Sequence, residues 1–412
     1  MNRETHAAVG TSGVGRRDFV KLGAAAGALT MLNACAGPAP PAAPPPAAGG
    51  SAAAQDAEKV IWETPQSKRP NISVDVHAHW SPESYVQALR DVGRKGSDEP
   101  IQALIENLKT KIKFMDEKSV KMLVLTLGGR QPWYWLSPEE SARQAALIND
   151  AGIEAYKAFP DRFVLGAEIP TKDPVLSLKE VNRIAGSPAV RGLHLPPTME
   201  FKDYIFDPAF APVLARAEEL GWPLLLHPLD EEVNYFGGTQ TRIGQPLTED
   251  TFIYNTLGFP MDTATTAALF IVTGTLDKYP KLQVVLPHAG GNFPYVAGRI
   301  EHGIARRKFP LKRPFKEYFR QFHYDTMAYY PETMRFLIEF AGVDHIMIGT
   351  DHSYLRSPND RSDAGGRRQN VYEWPHWLVE AMKLPKDQEE MILWGNAAKL
   401  FRLDQGSTKR TT

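Results

Sequence analysis

The feature that most constrains the fold is a repeated alternation between short apolar runs and amphipathic stretches, beginning near residue 72. Polar or Gly/Pro-containing loops and segments of helical period separate these runs. Alternating buried strands and helices favour parallel pairing through right-handed crossovers. The eight runs are 72–77, 120–127, 162–169, 190–195, 222–227, 282–287, 322–326 and 344–350, of which the seventh is the weakest. The pattern predicts an α/β fold of the TIM (β/α)8 barrel type over residues 71–405, with a tail over 406–412.

The stretch after the first predicted strand argues against the main structural alternative, a doubly wound open sheet. Such a sheet carries a glycine-rich phosphate-binding turn at that point. This chain has HAHWSPESY at residues 77–85 instead. Two later connections, 228–260 and 351–375, are longer than simple turns, and loops of that length are usually lids or substrate walls.

The N-terminal segment, residues 1–35, is typical of an export signal rather than of folded structure. Arg16 and Arg17 precede an apolar run of eleven residues, 22–32. That run is too short to span a hydrocarbon core of about 30 Å. The segment resembles a twin-arginine signal peptide, and its end, LNAC, resembles a lipoprotein lipobox.

Cys35 is then predicted to be a lipid attachment point, and the alternative is a buried or unused free cysteine. Residues 36–70 begin with a Pro/Ala-rich stretch that is typical of a linker. We therefore expect an exported protein, periplasmic or at the cell surface, that meets the membrane only through a lipid anchor.

The composition restricts the chemistry of any site. The formal net charge is -1, without a basic stripe, so nucleic acid is not an expected partner. Cys35 is the single cysteine, which excludes a disulfide framework or a cysteine-based zinc site within one chain. A metal site in this chain must use histidines and carboxylates.

Such residues follow four of the eight predicted strands. His77 and His79 end the first run, and the period of two along a strand places them on one face. His227 ends the fifth run, His288 follows the sixth and Asp351 follows the eighth. In a TIM barrel the carboxyl ends of the strands meet at the active site. Three imidazoles and a carboxylate suit Zn²⁺, Mn²⁺, Fe²⁺ or Co²⁺, while His288 is left as a proton-transfer base.

Five segments together resemble the amidohydrolase-related family of aminocarboxymuconate semialdehyde decarboxylase. They are DVHAHWSPESY (75–85), LLLHP (224–228), VVLPHAGGNFPYVAGRIEHG (284–303), IMIGTDHSY (346–354) and ILWGNAAKLFRL (392–403). The resemblance runs from about residue 72 to residue 403, in order, with about one motif per expected strand end. It therefore covers essentially the whole folded domain.

The resemblance implies a role for each of these residues. His77, His79, His227 and Asp351 would bind one divalent metal, Zn²⁺ first and Mn²⁺ second, with water completing the shell. His288 would be the acid/base that acts on that water or on the substrate.

The resemblance also concerns Arg299, which would reach the substrate carboxylate of a neighbouring subunit and so implies a homodimer. The alternative is a salt-bridged surface arginine.

Other polar residues give weaker indications. Metallohydrolases of the wider superfamily hold a second metal through a carboxylated lysine after the fourth strand, where this chain has LHLPPT, which favours a single metal. His194 in that stretch either lines the pocket or hydrogen-bonds within the barrel. Arg130 is predicted to pair with a substrate carboxylate and Trp133 to stack on a planar ring, with aromatic packing as the alternative for Trp133.

The leading functional prediction is a metal-dependent, non-oxidative decarboxylase of an aromatic or unsaturated carboxylic acid. Asp351 or His288 would deliver the proton that replaces CO₂. One alternative is a hydrolase that uses a metal-activated water on an ester, amide, lactone or C–C bond. A surface-anchored binding protein is another, although binding alone needs no open metal position.

Overall fold

Seven parallel strands form one sheet whose spatial order follows the chain, β1 to β7. In the computed structural model the described residues are 72–91, 108–127, 136–199, 202–228, 254–351 and 375–403. The strands are β1 (Ser73–Trp80), β2 (Val120–Leu127), β3 (Phe163–Glu168), β4 (Val190–Leu195), β5 (Leu224–Leu226), β6 (Val284–Leu286) and β7 (Phe322–Tyr324). Each lies within or overlaps its predicted run, and the second and fourth predictions match at both ends. The predicted signal with Cys35, the linker 36–70, the tail 406–412, Arg130 and Trp133 lie outside the described residues.

The eighth predicted strand closes the sheet through a few hydrogen bonds rather than through a regular ladder. Ile346 forms a parallel bridge with Tyr324 of β7, and the amide of Val76 in β1 donates to Ile348 O at 2.9 Å. Regular pairing is interrupted because the amide of Ile348 donates to Ile392 O instead. The segment 346–350 therefore joins β7 to β1, as a TIM barrel requires, and the predicted fold is confirmed.

Helices follow most strands, as the predicted alternation requires. They are α1 (Glu83–Asp91), α2 (Leu108–Glu117), α3 (Pro138–Ala158), α4 (Pro174–Ile184), α5 (Ala211–Leu220), α6 (Phe259–Val272), α7 (Thr275–Lys278), α8 (Phe293–Arg306), α9 (Pro331–Ala341), α10 (Trp377–Met382), α11 (Lys386–Glu390) and α12 (Asn396–Phe401). Among the described residues, no helix has both the length and the apolar character needed to cross a membrane.

Helix α3 shows how the sequence sets both an element and the position of a strand end. Ser137 caps it by accepting a hydrogen bond from the amide of Glu140 at 3.2 Å, and Pro138 occupies the first turn, where no amide donor is needed. On its buried face, Asn149 bonds both backbone groups of Glu168, donating to the carbonyl at 2.8 Å and accepting from the amide at 2.9 Å. The carboxyl end of β3 is thereby fixed to the helix layer.

The barrel interior is apolar below the strand ends. Val124, Val164, Leu225 and Val285 belong to one buried cluster. Gly192 makes room for this packing, because a Cβ there would lie 2.5 Å from Cδ1 of Leu225. Polar side chains replace this cluster at the carboxyl ends of the strands, so the fold concentrates them at one end of the barrel.

A buried histidine in β7 makes stability depend on pH. Nε2 of His323 lies 2.9 Å from Oε1 of Gln283, and its ring is 5.0 Å from that of His345. Burial lowers the pKa of His323 from 6.5 to about 3, with the charges of His345 and Lys399 acting in the same direction. The unfolded chain takes up this proton below about pH 6.5, whereas the folded chain stays neutral down to about pH 3. The folded state therefore loses stability as the pH falls through that window.

We expect the replacement His323→Gln to reduce this acid sensitivity. Between pH 7 and pH 5 the unmodified chain should lose about 2 kcal/mol more unfolding free energy than the variant, as measured by urea titration at each pH. His302→Gln is the control because His302 is exposed on α8. Equal losses in all three proteins would contradict the prediction.

Candidate metal centre

Four of the predicted residues converge at the carboxyl ends of the strands. His77 and His79 belong to β1, His227 follows β5, and Asp351 follows the closing segment. One ligand atom from each lies within 4.8 Å of every other. Oδ1 of Asp351 is 3.1 Å from Nε2 of His79, 3.5 Å from Nε2 of His77 and 3.9 Å from Nε2 of His227. The structure thus brings together residues that are up to 274 positions apart, from His77 to Asp351.

Each imidazole is oriented through its Nδ1 atom. The Nδ1 of His77 lies 2.6 Å from Oδ2 of Asp325, and that of His227 lies 2.7 Å from the carbonyl oxygen of Pro228. Both partners can only accept, so both Nδ1 atoms carry the proton. The Nδ1 of His79 lies 3.2 Å from Oγ1 of Thr126.

Thr126 also accepts from its histidine, because its hydroxyl donates to the carbonyl of Ala78 at 3.2 Å. With a proton on each Nδ1, the three Nε2 atoms are the ones that face one another. The Nε2 atoms of His79 and His227 are 3.2 Å apart. The Nε2 of His77 is buried and has no hydrogen-bond partner. Three converging imidazole nitrogens and a carboxylate are a donor set that fits one divalent cation.

The charges in the site are strongly coupled. Burial alone would lower the pKa of His77, but the charge of Asp351 and hydrogen bonds to Asp325 and Asp351 raise it to about 10. Burial lowers the pKa of His79 to about 4, against a hydrogen bond to Asp351. It also lowers the pKa of His227 well below its ordinary value, with the charges of His79 and His77 adding to the effect. Two of the three imidazoles are therefore neutral, which is the form that binds a metal.

Asp351 is the negative charge of this group. Burial alone would raise its pKa, but the charge of His77 and the polar contacts with the rings of His288 and His79 hold it well below the ordinary value. The backbone of Asp351 is left-handed, with φ of 52°, although it is not a glycine. Its amide donates to the carbonyl of His77 at 2.8 Å. A strained conformation is thus held in place by a ligand-bearing strand, as is common at functional sites.

His288 lies beside this group, as predicted, without being one of the four. Its Nε2 is 3.8 Å from Oδ2 of Asp351, and its ring is 5.3 Å from that of His77 and 5.4 Å from that of His227. The ring stacks at 6.4 Å on Phe259, and the side chain is 15% exposed. This position next to both the ligands and solvent is suited to proton transfer.

The remaining predicted residues lie in different environments. His194 is buried, donates through Nδ1 to Oε1 of Glu168 at 2.7 Å and has its ring 6.1 Å from that of His227. It also lines a small cavity together with His77 and His227, and its contact with substrate stays a prediction. Arg299 is exposed on α8. Its contact with a substrate in a neighbouring subunit stays a prediction.

Two buried carboxylates of the site were not predicted. Asp325 directly follows β7 and bonds His77. The strand-end rule that selected His227 applies to it equally, but its run, FHYDT, has the weakest apolar pattern. Asp75, inside β1, accepts from the amide of His77 at 3.1 Å and from the hydroxyl of Thr350 at 2.6 Å. Its burial raises its pKa to about 6. Asp75 lies two positions before His77, on the same face of the strand, but it precedes the predicted strand end and the strand-end rule does not select it.

Gly349 provides the space in which the side chains of Asp325 and His77 meet. A Cβ at this position would lie 2.6 Å from Cβ of Asp325 and 2.9 Å from Cβ of His77. We expect Gly349→Ala to cost roughly 1–3 kcal/mol of unfolding free energy, because the strand ends must move apart. Gly298→Ala is the matched control, since a Cβ in that exposed part of α8 meets nothing within 4 Å. Urea unfolding that gives equal values for the two variants would contradict the prediction.

A TIM barrel with three histidines and an aspartate at its strand ends defines a single-metal enzyme of the amidohydrolase type. The chain belongs to the amidohydrolase family, whose model matches residues 74–403. The predicted resemblance is therefore confirmed.

Three individual proteins that are similar to this chain are named as decarboxylases. The 2-amino-3-carboxymuconate-6-semialdehyde decarboxylase of Dictyostelium discoideum is 25% identical over 66% of this chain and 70% of its own. The gamma-resorcylate decarboxylase of Rhizobium sp. strain MTP-10005 is 27% identical over 73% of this chain and 89% of its own. The dihydroxybenzoic acid decarboxylase of Polaromonas sp. JS666, solved with manganese and 2-nitroresorcinol, has 23% identity and a TM-score of 0.63, covering 82% of this chain and 98% of its own. This last likeness shows the fold.

Proposed function

We propose that this chain is a metal-dependent, non-oxidative decarboxylase of an aromatic carboxylic acid. The observation that carries the proposal is the position of His288, with Nε2 3.8 Å from the carboxylate of Asp351 and beside the three converging imidazoles. A decarboxylase needs a proton donor beside the group that orients the substrate. The curated relatives named above are decarboxylases, and the gamma-resorcylate enzyme acts on an aromatic acid.

The reaction breaks one carbon–carbon bond and forms one carbon–hydrogen bond. CO₂ leaves without the bonding electron pair, which stays on the ring carbon and takes up a proton. A divalent metal held by His77, His79, His227 and Asp351 supplies Lewis acidity toward oxygen atoms of the substrate. No oxidant is needed, because the electron pair and the proton balance within the reaction.

We assign the delivered proton to His288. Its Nδ1 is buried without a hydrogen-bond partner, whereas its Nε2 faces Asp351. The pKa of Asp351 lies well below its ordinary value, so the Nε2 atom of His288 faces a charged carboxylate. Solvent can return the proton afterwards, since the side chain is partly exposed.

We also propose which metal the site binds, which residues contact the substrate and where in the cell the protein is located. Three imidazoles and a carboxylate favour Zn²⁺, while the manganese of the Polaromonas structure supports Mn²⁺ as the second choice. The proposed substrate contacts are Arg130, Trp133, His194 and Arg299. Of these, Arg299 would come from the second subunit of a homodimer. We further propose twin-arginine export and lipid attachment at Cys35, on the sequence pattern alone.

The test is a substrate screen of the purified protein, reconstituted with Zn²⁺ or with Mn²⁺. Ortho-hydroxybenzoates and muconate-like acids are assayed for CO₂ release, and esters and lactones for hydrolysis. CO₂ release from a hydroxybenzoate that disappears with a chelator and returns with metal supports the proposal. Hydrolysis without CO₂ release would replace it with the hydrolase alternative.

A further inference from the structure

The carboxylate of Asp325 lies at the centre of the site without being one of the four converging ligands. It follows β7 and is 1% exposed. Its two oxygens accept four hydrogen bonds. Oδ2 accepts from Nδ1 of His77 at 2.6 Å and from the amide of His288 at 2.9 Å. Oδ1 accepts from the amides of Ala289 at 2.7 Å and Met327 at 3.0 Å. One oxygen atom is therefore shared by a metal ligand and the backbone of the acid/base residue.

The turn that carries His288 depends on such an acceptor. Four consecutive residues have positive φ: His288 (54°), Ala289 (55°), Gly290 (77°) and Gly291 (58°). Left-handed backbone is unfavourable for a residue that is not glycine. Successive amides in such a turn point into one concavity, which is an anion-binding arrangement. Asp325 supplies the anion, and so offsets the strain at His288 and Ala289.

Neither glycine of the turn can be replaced by a residue with a side chain, because a Cβ at either position would clash with a neighbouring residue. A Cβ on Gly290 would lie 2.6 Å from the ring of Tyr324, and one on Gly291 would lie 2.1 Å from the carbonyl oxygen of Pro260. The turn is thus pressed against its neighbours on both sides. The position of the His288 ring is set by these contacts and by the bonds to Asp325.

The same carboxylate determines which nitrogen of His77 faces the ligand group. Because Oδ2 accepts a hydrogen bond from the N–H of Nδ1, the nitrogen of His77 that faces the ligand group is Nε2, which lies 3.5 Å from Asp351. A carboxylate behind a ligating histidine also makes the imidazole a stronger ligand. Loss of that partner typically weakens metal binding by about 10–100-fold.

We propose that Asp325 is a positioning residue that couples metal affinity to the placement of the acid/base His288. It holds the ligand nitrogen of His77 and the turn of His288 through one carboxylate, so a change in either is transmitted to the other. The part concerning His288 rests on the proposed decarboxylase function. The part concerning metal affinity does not.

The test compares Asp325→Asn with Asp277→Asn in the full chain. Asparagine keeps the shape but has one acceptor oxygen, so two of the four donors lose their partner. Asp277 is the matched control: it is a buried carboxylate in α7 that accepts from the hydroxyl of Tyr318 at 2.8 Å. Calorimetry with Zn²⁺ and with Mn²⁺ gives Kd, CO₂ release at saturating metal gives kcat, and thermal unfolding gives Tm.

We expect Asp325→Asn to weaken metal binding by about 10–100-fold and, at saturating metal, still to lower kcat by at least about tenfold. Asp277→Asn should change Tm alone. A kcat that saturating metal restores to the unmodified value would overturn the coupling, as would a Kd equal to that of Asp277→Asn. If Asp325→Asn does not fold, Asp325→Glu is compared with Asp277→Asn by the same three measurements. Glutamate keeps the charge and displaces the carboxylate oxygens by one methylene. An unmodified protein that binds metal but releases no CO₂ contradicts the proposed function, while Kd still tests the role of Asp325 toward His77.

Discussion

Asp351→Asn is expected to weaken metal binding by more than about 100-fold and to lower CO₂ release by at least about 1000-fold. The change removes the negative charge of the carboxylate that faces all three Nε2 atoms, at 3.1, 3.5 and 3.9 Å. It also removes the charge that faces Nε2 of His288, the proposed proton donor, at 3.8 Å. The two losses act on different steps, so excess metal should recover only part of the activity. Metal content by mass spectrometry and CO₂ release at several metal concentrations measure both.

The control for this change is Asp344→Asn. Asp344 precedes the closing segment on the same stretch of chain, but its side chain is 59% exposed, and its contact with His345 is 3.7 Å long. We expect this variant to bind metal and release CO₂ as the unmodified chain does. An Asp351→Asn protein that keeps stoichiometric metal and most of its activity would remove Asp351 from the metal site.

The barrel could be predicted because each strand carries its own signal. The runs at 120–127 and 190–195 match β2 and β4 at both ends. The predicted strands at 222–227 and 282–287 shorten to Leu224–Leu226 and Val284–Leu286. At these two positions His227 and Pro287 line the cavity of the site, and the amide of His227 still donates to the carbonyl of Leu195 at 3.0 Å.

The converging ligands could be predicted because their positions follow from the fold. Polar residues at the carboxyl end of a barrel strand, or directly after it, lie at the same mouth, so predicting His77, His79, His227 and Asp351 required only the strand assignments. Their distances could not be predicted. Those depend on the left-handed backbone of Asp351 and on the contact allowed by Gly349, which are properties of the packed strands.

The residues that orient the ligands were harder to predict than the ligands themselves. Thr126 lies inside β2 and Asp75 inside β1, where a polar residue has no special position in the sequence pattern. Their role appears only when neighbouring strands are in register, as in the pairing of His79 with Thr126. Hydrogen-bond partners from other strands are a tertiary property, and apolar periodicity contains no information about them.

His288→Gln is expected to lower kcat by about 100–10,000-fold while changing the metal Kd by no more than about threefold. The bond from the His288 amide to Asp325, at 2.9 Å, belongs to the backbone and survives the substitution, so the ligand group keeps its geometry. What is lost is the titratable Nε2 that faces Asp351. Glutamine keeps a polar side chain of similar reach but cannot transfer a proton. Steady-state CO₂ release at saturating metal, together with calorimetry, separates the two quantities.

The matched control is His302→Gln, the same substitution at an exposed position of α8, which should leave both kcat and Kd unchanged. A His288→Gln protein that retains kcat would show that Asp351, the other residue facing the site, delivers the proton. A protein that loses metal together with kcat would show instead that the ring of His288 is needed to hold the ligand group. A loss of kcat alone assigns proton transfer to His288, because metal retention shows that the four converging side chains are still in place.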